Sequence, residues 1–271
     1  MRHLFALLLL SLPALAIPAS ALSDSPEITE PTKVLRPFNG KNLDGFYTWQ
    51  KDTERKDPHN VYSVQDGTIR IAGQGAGYLA TKRSYKNYHL SVEYRWGDKT
   101  DGSGNVRNSG ILLHGSGPDG SAGGTWMASL EVQLAQGCEG DFIVIRGNDE
   151  KGDKIPVDIS CKTVLASDKR TRWSPSGEPT AYSGRQFWWS KHQPGFKEKV
   201  DTRGKDDVAS PFGKWTKVEC ICRANKVTIK INGTTVNECY NVFPQAGKIL
   251  LQNESNEVFF RNMEIRPLQS E

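Results

Sequence analysis

Apolar and polar residues alternate along most of this chain in short runs. Val227-Thr228-Ile229-Lys230-Ile231 shows the period plainly, and it recurs over 68–72, 89–96, 110–114, 129–134, 141–146, 217–223, 226–232, 235–240, 248–253 and 258–266. A period of two sends successive side chains to opposite faces of an extended strand. Gly, Asn and Asp separate the runs at spacings suited to antiparallel pairing. Asn232-Gly233, set between two such runs, is a two-residue hairpin turn. No stretch of a dozen residues carries a helical period. Many short strands, Gly-rich turns and no helix predict an all-β chain folded as a two-sheet antiparallel sandwich of jelly-roll type. With no internal repeat and no second domain, residues 38–268 read as a single sandwich.

Three segments fall outside that pattern. Arg2 and His3 precede an apolar run over 4–12 that Pro13 interrupts, and Ala19-Ser20-Ala21 follows. This predicts a signal peptide over 1–21 cleaved after Ala21, the run being too short for a membrane anchor. A secreted or periplasmic protein is expected, with no membrane attachment after cleavage. Residues 22–37 read as a linker or docking arm. Residues 167–213 are poor in aliphatics yet hold Trp173, Tyr182, Phe187, Trp188 and Trp189. Long loops of this kind are functional lids or disordered excursions, and their aromatics either stack on sugar faces or pin the loop to the sandwich. Of the 271 residues, Lys and Arg number 35 against 31 Asp and Glu, spread without a basic block, so a nucleic-acid partner is not expected.

The candidate chemistry lies on strand faces. In 129–134, alternation directs Leu130, Val132 and Leu134 to the core and leaves Ser129, Glu131 and Gln133 together on the other face. The run from Asn108 can present His114 with Gly110 and Leu112. Arg146 ends the run 141–146, and Gln252 and Glu254 hold alternate positions. Side by side, these strands would converge a carboxylate, an imidazole, amides and a guanidinium on one face, or form an ordinary solvated one. A retaining glycosidase needs two carboxyl groups about 5–5.5 Å apart. Here Gln133 occupies the position two residues from Glu131, which disfavours two-carboxylate hydrolysis unless Glu139 or Asp141 approaches from the next turn. No Gly-x-Ser-x-Gly, His-Glu-x-x-His or Cys-x-x-Cys is present. Gly73-x-Gly75-x-Gly77 lacks the helix of a phosphate loop and reads as a turn.

The motifs resemble a family. Phe38-Asn39-Gly40-Lys41-Asn42-Leu43-Asp44-Gly45-Phe46, Asn108-Ser109-Gly110-Ile111, Glu131-x-Gln133, Gly140-Asp141-Phe142, Trp215, Asn232-Gly233, Gly247-Lys248-Ile249, Leu251-Gln252 and Phe260-Arg261-Asn262 are similar in order and spacing to the 3-keto-disaccharide hydrolase family. That family is also described as 3-keto-glucoside 1,2-lyase/3-keto-2-hydroxyglucal hydratase domains. The opening motif commonly ends in Gly-Trp there and in Gly45-Phe46 here, and residues 167–213 match nothing that can be carried over. The resemblance implies a concanavalin A-like sandwich of the lectin/glucanase type and cleavage of 3-keto-glycosides. A ketone at C3 acidifies the C2 proton, one base removes it, the aglycone leaves C1, and water adds to the 2-hydroxyglucal. This implies Glu131 or His114 as base, with Arg146 or a divalent ion stabilising the enediolate. His114, Glu131 and Gln133 are the alternative metal ligands. Gln133, Arg146, Asn108, Trp126 and Gln252 are the candidate substrate contacts. A non-catalytic glycan-binding module of lectin type and a structural cell-surface module are the competing readings, since fold alone does not set function.

The chain has five cysteines. Cys220 and Cys222 share a strand face with Cα atoms ~6.6–6.8 Å apart, at the limit for a bridge and badly oriented. Cys239 falls two strands from Cys222, ~9.5 Å away. Cys138 and Cys161, flanking the excursion 139–160, are the expected disulfide, with buried thiols at 220, 222 and 239.

Overall fold

The computed structural model describes residues 27–269, so the expected signal peptide over 1–21 lies outside the described residues. Eighteen strands occur among the described residues. The first ten are β1 (Ile28–Thr29), β2 (Phe46–Gln50), β3 (Tyr62–Gln65), β4 (Thr68–Ile71), β5 (Ala76–Thr81), β6 (Ser84–Lys86), β7 (Tyr88–Trp96), β8 (Gly110–Ser116), β9 (Ala128–Gln133) and β10 (Phe142–Ile145). Then come β11 (Asp158–Leu165), β12 (Thr171–Trp173), β13 (Glu178–Ala181), β14 (Thr216–Arg223), β15 (Lys226–Ile231), β16 (Thr234–Phe243), β17 (Ala246–Glu254) and β18 (Val258–Pro267). No helix occurs among the described residues.

The strands form two sheets. One runs β1-β6-β17-β8-β9-β10, with β5 and β2 extending from β17, and the other runs β12-β11-β16-β15-β14-β7-β18-β4-β3, with β13 also on β11. Every pairing is antiparallel except β1 on β6. The chain is thus an all-β two-sheet sandwich, and each of the ten alternating runs lies on a strand. Period-two burial is plainest in β14, where Thr216, Val218, Cys220 and Cys222 enter the core while their neighbours stay half-buried. Asn232 and Gly233 both have positive φ, 47° and 82°, the conformation of a two-residue type I′ hairpin that joins β15 to β16. Gly73 and Gly75 stand in the connection from β4 to β5.

One core lies between the sheets, centred on Ile69, Leu90, Val92, Ile111, Leu113, Leu130, Val132, Phe142, Ile229, Leu251 and Phe260. A second, smaller cluster of Tyr78, Ala80, Leu112, Met127 and Leu250 sits on the opposite face of the first sheet. β8 and β9 are therefore buried on both faces. The segment 167–213 is neither a free lid nor disordered. β12 and β13 pair with β11, Trp188 exchanges backbone hydrogen bonds with Thr171 and Trp173, and Phe187 bridges to Phe142. Its aromatics differ in burial. Phe187 and Trp189 are buried and pin the segment, while Trp188 stays half-buried beside a cavity.

Candidate active site

β9 carries the centre of the site. Leu130, Val132 and the following Leu134 enter the core between the sheets, so Ser129, Glu131 and Gln133 face the other way. Register sets Glu131 between Leu112 of β8 and Ile143 of β10, and Gln133 beside Gly110. β17 pairs Leu250 with Leu112, which brings Gln252 and Glu254 onto the same face. This face is not a solvated one: Glu131 is 4% exposed and Gln252 1%. The apolar cluster with Trp126 and Trp49 fills one half of it, closed over by a clamp in which Tyr47 and Tyr78 hydroxyls both donate to Asp119 Oδ1 at 2.8 Å.

The other half is polar. A side chain on Gly110 would occupy the space of this cluster, because a Cβ there would lie 2.7 Å from Glu131 Oε1 and 2.8 Å from Gln252 Oε1. Gln252 Nε2 donates to Glu254 Oε1 at 3.3 Å, and Asn108 Nδ2 donates to Glu254 Oε2. Gln252 Oε1 and Asn108 Oδ1 are buried without a protein partner. Gln133 Oε1 accepts from the N–H groups of Leu134 (3.0 Å) and Ala135 (3.3 Å), leaving its NH2 group as a donor. Burial disfavours a charged carboxylate. It raises Glu131 to about 8, with the Glu254 charge adding to the effect, and it raises Glu254 to about 7. Both carboxyls are thus pushed from the usual carboxylate range toward neutral pH.

A cavity of about 590 Å³ opens at the Asn108 and Gln133 end, walled on its far side by Arg170, Gln186, Trp188 and Glu198. Glu131 does not line it but lies two residues along the strand from Gln133, on the same face. The Arg170 guanidinium stacks on Trp188, 5.0 Å from the ring centroid, and donates to Glu198 Oε1 at 3.4 Å and to His192 Nε2 at 2.5 Å. His192 Nδ1 faces the Gly137 carbonyl at 3.1 Å. A neutral ring meets both contacts, donating from Nδ1 and accepting at Nε2, and burial lowers the His192 pKa accordingly. Trp188 Nε1 is buried without a partner.

Several expected placements change. His114 does not join Glu131. A register shift between Leu113 and Ser116 leaves His114 at φ 56°, and its ring packs edge-on against core residue Tyr88, centroids 5.9 Å apart. Its Nδ1 meets the Pro244 carbonyl at 2.8 Å, and burial lowers it to about 4. The ligand set His114, Glu131 and Gln133 is therefore not assembled, and no cluster of three or more His, Cys, Asp or Glu able to hold a metal occurs among the described residues. Arg146 follows the last residue of β10, is exposed, pairs with Asp158 at 3.3 Å and lies over Tyr182. Arg170 supplies the guanidinium at the cavity instead. Asp141 lies near enough for its charge to raise Glu131, but its carboxylate is held by other partners. Glu139 is buried, and Asp141 accepts from the Trp189 N–H at 2.6 Å and Gln186 Nε2 at 2.7 Å. A second buried carboxyl group on the Glu131 face comes from a different strand, as Glu254 of β17.

The expected Cys138–Cys161 disulfide is also corrected. All five cysteines are buried thiols. Cys138, in the β9–β10 connection, faces His192 Nδ1 at 3.7 Å, whereas Cys161 is the cross-strand partner of Cys239. Glu254 and Trp188 were named from the sequence without a role at the site, and Arg170 was not selected. Glu254 continues the alternation of Gln252, and Trp188 stands in the aromatic-rich segment, but no local pattern marks Arg170.

None of the curated proteins matches the sequence. Among solved structures, a proposed glycosyl hydrolase from Parabacteroides distasonis shares 19% identity, covering 88% of this chain and 94% of its own, at a TM-score of 0.49. A carbohydrate-binding module from Bacillus subtilis shares 9% identity, with 82% and 95% covered and a TM-score of 0.45. A Bacillus licheniformis beta-glucanase shares 11%, with 86% and 96% covered and a TM-score of 0.42. Likeness at this level does not bear on chemistry. The family model described as the 3-keto-alpha-glucoside-1,2-lyase-like domain matches residues 36–266, from the edge of the N-terminal arm into β18. The protein is thus a carbohydrate-active member of the 3-keto-alpha-glucoside-1,2-lyase-like domain family.

Proposed function

We propose that this protein is an enzyme that cleaves 3-keto-glycosides by elimination across C1 and C2, followed by hydration, and that it works outside the cytoplasm. The observation that carries the reading is the Glu131–Glu254 pair, two carboxyl groups raised to about 8 and about 7 on one buried polar face. Elimination needs one base and one acid together, and two carboxyl groups raised to about 8 and about 7 on one face supply both near neutral pH. The Glu254 charge raises Glu131, and amides of Asn108 and Gln252 hydrogen-bond to Glu254. Glu254 accordingly holds the negative charge and takes the C2 proton. Glu131 keeps its proton and delivers it to the leaving oxygen as the C1–O bond breaks, a reversal of the base role expected from the resemblance. The electron pair of the C2–H bond forms the C1–C2 double bond of a 3-keto-2-hydroxyglucal, and water addition then returns a free 3-keto sugar. Gln133 NH2 and the Arg170 guanidinium are the donors for the enediolate oxygen, and Trp188 supplies a ring and a free indole N–H for the sugar.

Incubation with 3-keto-trehalose or 3-keto-sucrose tests this reading. Released glucose or fructose with a transient enone absorbance supports it, and binding without turnover supports a lectin-type module instead.

A further inference from the structure

Cys161 of β11 and Cys239 of β16 are direct cross-strand partners, both fully buried. Which kind of antiparallel pair they form follows from the other edge of β11. There, Tyr182 N–H donates to Ile159 O at 3.0 Å, and Pro179, which has no N–H, stands opposite Lys162. Residues 159, 161 and 163 therefore direct their N–H and C=O groups toward β13, because both groups of one residue point to the same side in an antiparallel strand. Toward β16, Cys161 and Cys239 are a non-hydrogen-bonded pair. Such pairs bring Cα atoms to about 4.5 Å, inside the span of about 4.4–6.8 Å that a disulfide bridges. Both side chains point into the same core. Cys220 and Cys222, on one strand, have no such partner, and Val227 of β15 stands between Cys222 and Cys239.

We propose that Cys161 and Cys239 are a disulfide site, closed when the chain folds with a disulfide oxidant such as oxidised glutathione. The two thiols lose two protons and two electrons to form one S–S bond, and the oxidant's disulfide is reduced to two thiols. Burial shields both groups from solvent and reagents once the sandwich closes, so exchange precedes final packing, and the finished bond resists reductant in the native protein. The bond would join β16 to the strand on which β12 and β13 hang. It would thereby fix the base of the segment that carries Arg170 and Trp188 to the cavity.

The test is to refold the full chain with oxidised and reduced glutathione, alkylate under denaturing conditions, and digest without reductant. The expected result is one cross-linked peptide pair containing Cys161 and Cys239, with Cys138, Cys220 and Cys222 alkylated. The same link should persist in Cys138→Ser, and in the wild type it should survive dithiothreitol under native conditions but not in denaturant. Five alkylated cysteines after oxidative refolding, or a link involving Cys138, would overturn the proposal.

Discussion

Glu131 Oε1 stands where a side chain on Gly110 would go, 2.7 Å from the Cβ such a residue would carry. Gly110 has no positive φ, so its requirement is for space, and the space is used by the ends of two flexible side chains. Gly110→Ala should therefore fold, at a cost of about 1–3 kcal/mol for overpacking. It should also push Glu131 away from Gln252 and lower kcat/KM at least ~10-fold, the equivalent of about 1.4 kcal/mol in the transition state. Thermal melts and turnover measured side by side check this. Unchanged turnover would place the chemistry elsewhere on the sheet.

Stability should depend on pH through the same carboxyls. Folded Glu131 keeps its proton up to about 8 and Glu254 up to about 7, whereas both ionise near 4.5 in the unfolded chain. Between those values the native state binds more protons than the unfolded one, so stability falls as pH rises from about 5 toward 8. His114 acts in the opposite sense. Lowered from 6.5 to about 4, it removes stability as pH falls through that window. Glu131→Gln should flatten the alkaline side of a melting-temperature profile and leave the acid side intact.

Two adjacent tryptophans should separate packing from ligand contact. Trp189 is fully buried, and its indole N–H donates to the Gly137 carbonyl at 2.9 Å. Trp189→Ala should cost about 3–5 kcal/mol. Trp188→Ala, at the cavity, should leave the melting temperature nearly unchanged while raising KM for a 3-keto-glycoside several-fold. Denaturant titration and steady-state kinetics on both variants distinguish the roles.

His114, a candidate base by sequence, is held in the core by Tyr88 and the Pro244 carbonyl. His114→Asn tolerates the left-handed backbone and should retain kcat within a few-fold while melting lower. A loss of kcat comparable to that of a Glu131 variant would return the imidazole to the mechanism.

Strand identity and facing were legible wherever one side of a strand meets the core. Leu130, Val132 and Leu134 alternate with Ser129, Glu131 and Gln133 in the sequence as they do in the sheet. The same rule failed at His114, because the register shift after Leu113 inserts an unpaired position and resets the alternation, a change with no signature in neighbouring residue types. For Arg146 the rule itself points away from the site, since Ile143 and Ile145 share the face of Glu131 and Ser129 and position 146 takes the other face with Val144. The partners of Cys161 and Glu131 were hidden for another reason. Cys239 and Glu254 come from strands distant in sequence, and only the sheet order brings β11 to β16 and β17 to β8. Arg170 reaches the cavity through Trp188 and β12, a path set by backbone pairing within a segment that carries no apolar period.

The pH profile of 3-keto-glycoside turnover, measured in the wild type and in Glu131→Gln and Glu254→Gln, tests the account most directly. The wild type should give a bell with its maximum between about 7 and 8, the limits set by Glu254 and Glu131. Glu254→Gln should remove the acid limb and Glu131→Gln the alkaline limb, each with turnover lower by about 10²–10⁴. Full activity in both variants with the bell preserved would contradict an acid–base pair at Glu131 and Glu254.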